Sequence, residues 1–130
     1  MALTDFIGAI RARLLTFGYR VYYGEEIDGV IKVPYIYFQY TSTNDTEPAE
    51  DFMIDVDIVG YSAKLTQVEQ MVDAVDGDGD YTSPTGLNYY QYGTGGSPTF
   101  NCYRVSRLSL PSGMQGVARR QLRYRVRTYL

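Results

Sequence analysis

Asp55 and Asp57 stand two residues apart in an alternating stretch, 52–61. On a strand, side chains two apart share a face at about 7 Å. Two carboxylates at that separation can flank a substrate, one as acid and one as base. The rest of such a site is missing. The chain has no histidine, which removes the commonest general base. Lys32 and Lys64 sit beside turn formers, not in apolar runs that would depress an amine pKa. Serines and threonines have no base to activate them. A salt-bridged or solvated face is the preferred reading of Asp55 and Asp57, and no catalytic residue is assigned.

Asp76, Asp78 and Asp80 alternate with glycines, as in the opening of a calcium loop. That loop needs glycine at its sixth position and a bidentate acid at its twelfth. Tyr81 and Leu87 stand there instead, so the stretch reads as an acidic, glycine-rich loop and no metal is expected. Residues 93–97 are also glycine-rich, but no lysine follows and no helix begins there, so they hold no phosphate. No cofactor is expected.

The strongest chemical signal is the distribution of charge. Residues 1–80 carry all 15 acids and five of the 12 bases, a net of −10, whereas residues 81–130 carry no acid and seven arginines. Arg119, Arg123, Arg125 and Arg127 occupy odd positions of one alternating stretch, 117–129, and so point one way from a strand. Such a stripe has three uses. It can protect an edge strand, it can bind nucleic acid with Tyr103 and Tyr129 as stacking partners, or it can meet acids. The net charge of −3 and a pI near 4.8 count against nucleic acid. Acidic partners exist within the chain and on a neighbouring copy; Arg119, Arg123, Arg125, Arg127, Asp55 and Asp57 are the subunit-interface candidates, the arginines meeting Asp55 and Asp57 first, across a subunit boundary or in a ladder supporting it. A subunit with one acidic and one basic surface suits head-to-tail contact, which closes into a ring if the rotation permits. Salt sensitivity of the assembly is then expected.

These residues need a scaffold. A chain of 130 residues makes one domain, 1–130. No apolar run approaches the roughly 18 residues of a membrane span, and the first ten residues do not read as a signal peptide. The single cysteine, Cys102, reads as a small strand residue. Fourteen tyrosines and no tryptophan favour strands and interfaces.

Phe6, Ile7, Ile10, Leu14 and Phe17 recur at helical spacing over 4–17, with Gly18 as the stop. A short strand, 19–23, follows, then an acidic turn. Pro34 opens a tyrosine-rich strand, 35–41. Residues 42–50 lack an apolar pattern and read as a hairpin loop. In the strand 52–61, Phe52, Ile54, Val56 and Ile58 share the core face. A helix over 63–75, capped by Ser62, presents Leu65, Val68, Met71, Val72 and Val75. A long flexible loop, 76–98, leads to strands 100–110 and 117–129, with Leu122, Tyr124 and Val126 facing the core. The expected class is α+β: a two-layer domain with a mostly antiparallel sheet of about four to five strands and two helices on one face. Asp55, Asp57 and the arginines then share the open face.

This order of elements resembles the tail terminator and tail-completion (head-to-tail joining) proteins of long-tailed bacteriophages. The resemblance rests on 21–23 (Val-Tyr-Tyr), 33–38 (Val-Pro-Tyr-Ile-Tyr-Phe), 52–61, the helix behind them and the final arginine-rich strand. It implies a non-enzymatic structural virion protein, assembled in the host cytoplasm. The subunit would form a homohexameric ring that caps the head-proximal end of the tail tube. The ring ends tube polymerisation and joins the tail to the head connector. Its partners are itself, the tail tube protein and the connector or neck protein. Genome DNA passes through the lumen without specific binding, and no membrane is involved. Asp76, Asp78, Asp80, Tyr81, Tyr89, Tyr90 and Tyr92 are the docking-loop candidates. The 42–50 hairpin and the 76–98 loop are expected to be mobile until they order on tube or connector. The alternatives are another neck component such as a head-completion protein, a nucleic-acid-binding module using the stripe, and, remotest, an enzyme using Asp55 and Asp57.

Overall fold

The computed structural model describes residues 3–24, 32–46, 49–94 and 97–128. In chain order the elements are α1 (Leu3–Leu15), β1 (Arg20–Tyr23), β2 (Tyr35–Thr46), β3 (Ala49–Tyr61), α2 (Leu65–Asp76), β4 (Gln91–Thr94), β5 (Ser97–Leu110) and β6 (Val117–Thr128). The strands form one sheet of six in the order β1-β2-β3-β6-β5-β4. β1 runs parallel to β2, and every other pairing is antiparallel. The architecture is α+β, with a mixed sheet that exceeds the four or five strands expected.

Both helices cover the same face. Phe6, Ile10 and Leu14 of α1 and Val68, Met71, Val72 and Val75 of α2 are fully buried. They meet Phe52, Ile54, Val56 and Ile58 of β3 and Leu122, Tyr124 and Val126 of β6, as the alternation predicts. Phe6 stacks on Phe52 at 4.4 Å and meets Phe100 edge-on at 5.6 Å. Each such aliphatic or aromatic side chain removed from water contributes about 1.5–3 kcal/mol, so this layer holds the sheet against its helices. Gly18, with φ +87°, closes α1 as expected. Cys102 is buried in the core.

Three expectations are corrected. Ser62 does not cap α2: residues Ser62–Lys64 form a short 3₁₀ turn, and no side chain caps the helix that follows. Residues 42–46 and 49–50 are not a loop, because the β2–β3 ladder continues from Ser42–Met53 to Thr46–Ala49; the rest of that expectation lies outside the described residues. Polar side chains at the far end of a hairpin carry no apolar alternation, yet the backbone still pairs. The 76–98 stretch is not one loop. Asp76 ends α2, 91–94 pairs as β4, and β5 begins at Ser97, leaving 77–90.

That remaining loop is held at several points. Leu87 is fully buried, and its N–H donates to the Val75 carbonyl at 2.6 Å. Tyr89 N–H donates to the Cys102 carbonyl, and Cys102 N–H donates to the Tyr90 carbonyl. Arg13 of α1 donates to the carbonyls of Pro84 at 3.1 Å and Gly86 at 3.0 Å. Its guanidinium also lies 4.3 Å from the Tyr90 ring centre.

Candidate interaction surface on the open face of the sheet

The β3–β6 register brings the arginine stripe to acids of the same chain. Asp55 lies directly across from Arg123 and accepts from its Nε at 2.8 Å and its Nη2 at 3.4 Å. Asp57 accepts from Gln121 at 3.0 Å and, diagonally, from Arg119 at 2.8 Å. Asp51, which sequence reasoning missed, accepts from Arg125 at 2.6 Å. Its other oxygen accepts no hydrogen bond and lies 3.9 Å from Arg127 Nε. Asp51, Asp55 and Asp57 are 6%, 7% and 9% exposed although they stand on the uncovered face, because the arginine side chains lie over them.

A second set of pairs clamps α2 to the sheet. Glu69, Asp73 and Asp76 follow one side of α2 at steps of four and three residues. Glu69 accepts from Arg120 at 2.7 Å, Asp73 from Arg107 at 2.6 Å, and Asp76 from Arg104. Arg104 and Arg107 are three apart, so a regular strand would turn them to opposite faces. The register shift between Arg104 and Ser106 puts both on the helix side. All seven arginines of residues 81–130 therefore meet carboxylates of residues 51–76. The pairing signal was legible in the acid-free C-terminal half, but the choice of partners required the register.

This pairing gives the stripe carboxylate partners within the chain. It also reduces the case for nucleic acid, since four stripe arginines sit over three carboxylates and little positive charge remains for phosphates.

At one end of the open face, Tyr35, Tyr37, Val59, Met114, Asp57 and Arg119 help to line a pocket of 250 Å³ beside the β5–β6 turn. Burial raises the Asp57 pKa above its ordinary 3.8, outweighing the opposing Gln121 hydrogen bond and the Arg119 charge. Burial and the Asp57 charge also raise the Tyr35 pKa. Proton binding at Asp57 is coupled to folding. The folded state holds this proton more tightly than the unfolded chain does, so ionising Asp57 costs stability as pH rises from 3.8 through the folded value. Asp57→Asn removes that cost. The stability of Asp57→Asn relative to wild type should therefore improve between pH 3 and pH 7. Urea unfolding of both proteins across that range checks it, and a relative loss on raising the pH would reverse the assignment.

The docking-loop candidates divide. Asp76 points inward, where it also accepts from the buried Tyr124 hydroxyl at 2.7 Å. Tyr90 packs against the core under Arg13, and Tyr92 on β4 stacks on Phe100 at 5.0 Å. Asp78, Asp80 and Tyr81 point outward. Asp78 Oδ1 accepts from Asp80 N–H at 3.0 Å, and Asp80 Oδ1 accepts from the Thr82 N–H at 2.9 Å and hydroxyl at 2.6 Å. Those Thr82 contacts lower the Asp80 pKa. Among the described residues no group of His, Cys, Asp and Glu is arranged to hold a metal ion. Tyr81 is 72% exposed and meets Tyr89 edge-on, as Tyr89 meets Tyr103. Tyr89 has φ +67°, rare for a bulky residue.

Among the described residues no helix is long and apolar enough to cross a membrane. No protein-family model matches the chain, and no curated protein matches it in sequence.

Proposed function

We propose that this chain is a non-enzymatic structural subunit that assembles into a ring at the head-proximal end of a phage tail. The observation that carries the reading is the open face of the six-stranded sheet: both helices lie on the other side. The exposed side is a broad surface stiffened by carboxylate–guanidinium pairs. On that surface Asp55 and Asp57 are both engaged by arginine. A rigid, tyrosine-edged face of this kind suits protein contact. The phage assignment rests on the resemblance in element order. In that reading the homohexameric ring caps the tail tube, ends its growth and meets the head connector, while DNA passes through its lumen. Tube protein and connector are its partners, and its place is the virion.

Light scattering should give a particle six times 14.7 kDa. Because the stripe is satisfied within each chain, that mass should hold as salt rises, in contrast to the expectation from charge alone. Added to polymerising tail-tube subunits, the ring should shorten the tubes. A ring that leaves tube length unchanged but binds purified heads would identify a head-completion protein instead. A monomer that binds short DNA with a steep salt slope would point to the nucleic-acid module.

A further inference from the structure

The outward part of the 77–90 loop and the pocket beside Arg119 are complementary. Tyr81 is held out on a preformed turn by the Asp78–Asp80–Thr82 hydrogen bonds. The Tyr89 ring supports it, and Arg13 and buried Leu87 hold the loop base. A side chain displayed this way loses little entropy on binding. Beside it the Asp80 carboxylate is exposed. The pocket offers the matching surface: tyrosine and aliphatic walls, a volume of 250 Å³ and the Arg119 guanidinium. Among the described residues, only the Asp57 carboxylate accepts a hydrogen bond from that guanidinium.

The two features stand apart on the sheet. Tyr81 is linked through Tyr89 to Tyr103, whose β6 neighbour is Arg125. Arg125 is six residues along β6 from Arg119, a separation of about 20 Å. The tyrosine cluster that carries the knob therefore meets the sheet about 20 Å from the Arg119 side of the pocket.

We infer that the Asp80–Tyr81 knob of one copy enters the Tyr35–Met114–Arg119 pocket of the next. Tyr81 fills the aromatic and aliphatic space, and the Asp80 carboxylate accepts from the free donors of Arg119. The contact joins two different surfaces, so it is heterologous and propagates head to tail. It rests on the ring reading and supplies that ring with its joint. The other stripe arginines, Arg123, Arg125 and Arg127, then brace the surface within each subunit.

The test uses two single-cysteine additions beside the contact, Ser83→Cys and Gln115→Cys, both at exposed positions that leave Tyr81 and Met114 in place. The native Cys102 thiol is buried and pushed up in pKa, so it does not compete. An equimolar mixture treated with a short bis-maleimide should give a covalent pair containing one of each variant. Adding Tyr81→Ala to the Ser83→Cys chain should abolish that pair. The same substitution alone should weaken self-association by about tenfold or more in sedimentation velocity. Absence of the cross-link, or a cross-link indifferent to Tyr81→Ala, overturns the contact. Light scattering separates this from the ring itself. A Tyr81→Ala hexamer without the cross-link leaves the ring standing and refutes the joint. A Tyr81-dependent cross-link in a protein that forms only open chains supports the joint and refutes the ring.

Discussion

Asp76→Ala is expected to lower unfolding free energy by about 3 kcal/mol, at the lower end of the range for breaking a buried charged pair. Asp76 is 5% exposed and ends α2. One carboxylate oxygen takes the Tyr124 hydroxyl at 2.7 Å, and the other takes Arg104. The two partners fare differently when the carboxylate goes. The Arg104 side chain is 37% exposed and can turn to water. Tyr124 is fully buried, so its hydroxyl is left without an acceptor, and an unsatisfied buried group costs about 1–3 kcal/mol. Burial and the Asp76 charge also hold the Tyr124 phenol up in pKa, so it cannot escape by ionising. Removing both partners is a smaller loss than removing one. Tyr124→Phe in the Asp76→Ala background should therefore recover about 1 kcal/mol, whereas Tyr124→Phe alone should destabilise. Urea midpoints of the four proteins give the cycle. An Asp76→Ala protein within 1 kcal/mol of wild type would show that this network is not what fastens α2 to the sheet.

The network also shows where the sequence could be read and where it could not. Phe52, Ile54, Val56 and Ile58 alternate because one face of β3 packs on helices and the other does not, and that difference is written in residue type. The core side of β6 was legible for the same reason. β4 was not. It has four residues including Gly93, and its pairing depends on the exposed edge of β5 rather than on its own propensity. β1 pairs in parallel through a connection of undistinguished composition. Gly86 looked like part of a flexible run. An added Cβ there would lie 2.4 Å from the Asp76 carbonyl carbon and the Gly77 nitrogen, so this glycine marks close backbone approach rather than freedom. At the surface, the split of charge was plain, but its resolution depended on a β-bulge and on cross-strand register. Both are tertiary facts, and neither leaves a local pattern. Asp51 stood outside the strand bounds read from the sequence, and so its role as partner to Arg125 was missed.

The register makes charge reversal at Arg123 a test of folding rather than of assembly. Arg123→Glu sets a second carboxylate directly across from Asp55, which is 7% exposed with the Arg123 side chain lying over it. Exposed ion pairs contribute about 0–1 kcal/mol, so loss of a surface partner alone would be a small effect. Here the carboxylate left behind loses its partner and gains a like charge opposite it. The expected loss is about 2–3 kcal/mol, below the full range for a broken buried pair because the Arg123 side chain is itself 42% exposed. Arg125→Glu should cost less, about 1 kcal/mol, because Arg127 stands 3.9 Å from Asp51 and can take over part of the pairing. The double exchange, Asp55→Arg with Arg123→Glu, restores opposite charges at the same register and should recover most of the loss. Guanidinium chloride would screen the pairs, so urea midpoints supply the stabilities. Sedimentation velocity on the folded fraction supplies assembly. If the stripe acts within the chain, folded Arg123→Glu protein assembles as wild type does. If Arg123→Glu keeps wild-type stability and loses only assembly, the arginine serves a neighbouring subunit, and the joint between copies must be sought on the stripe instead of at Tyr81.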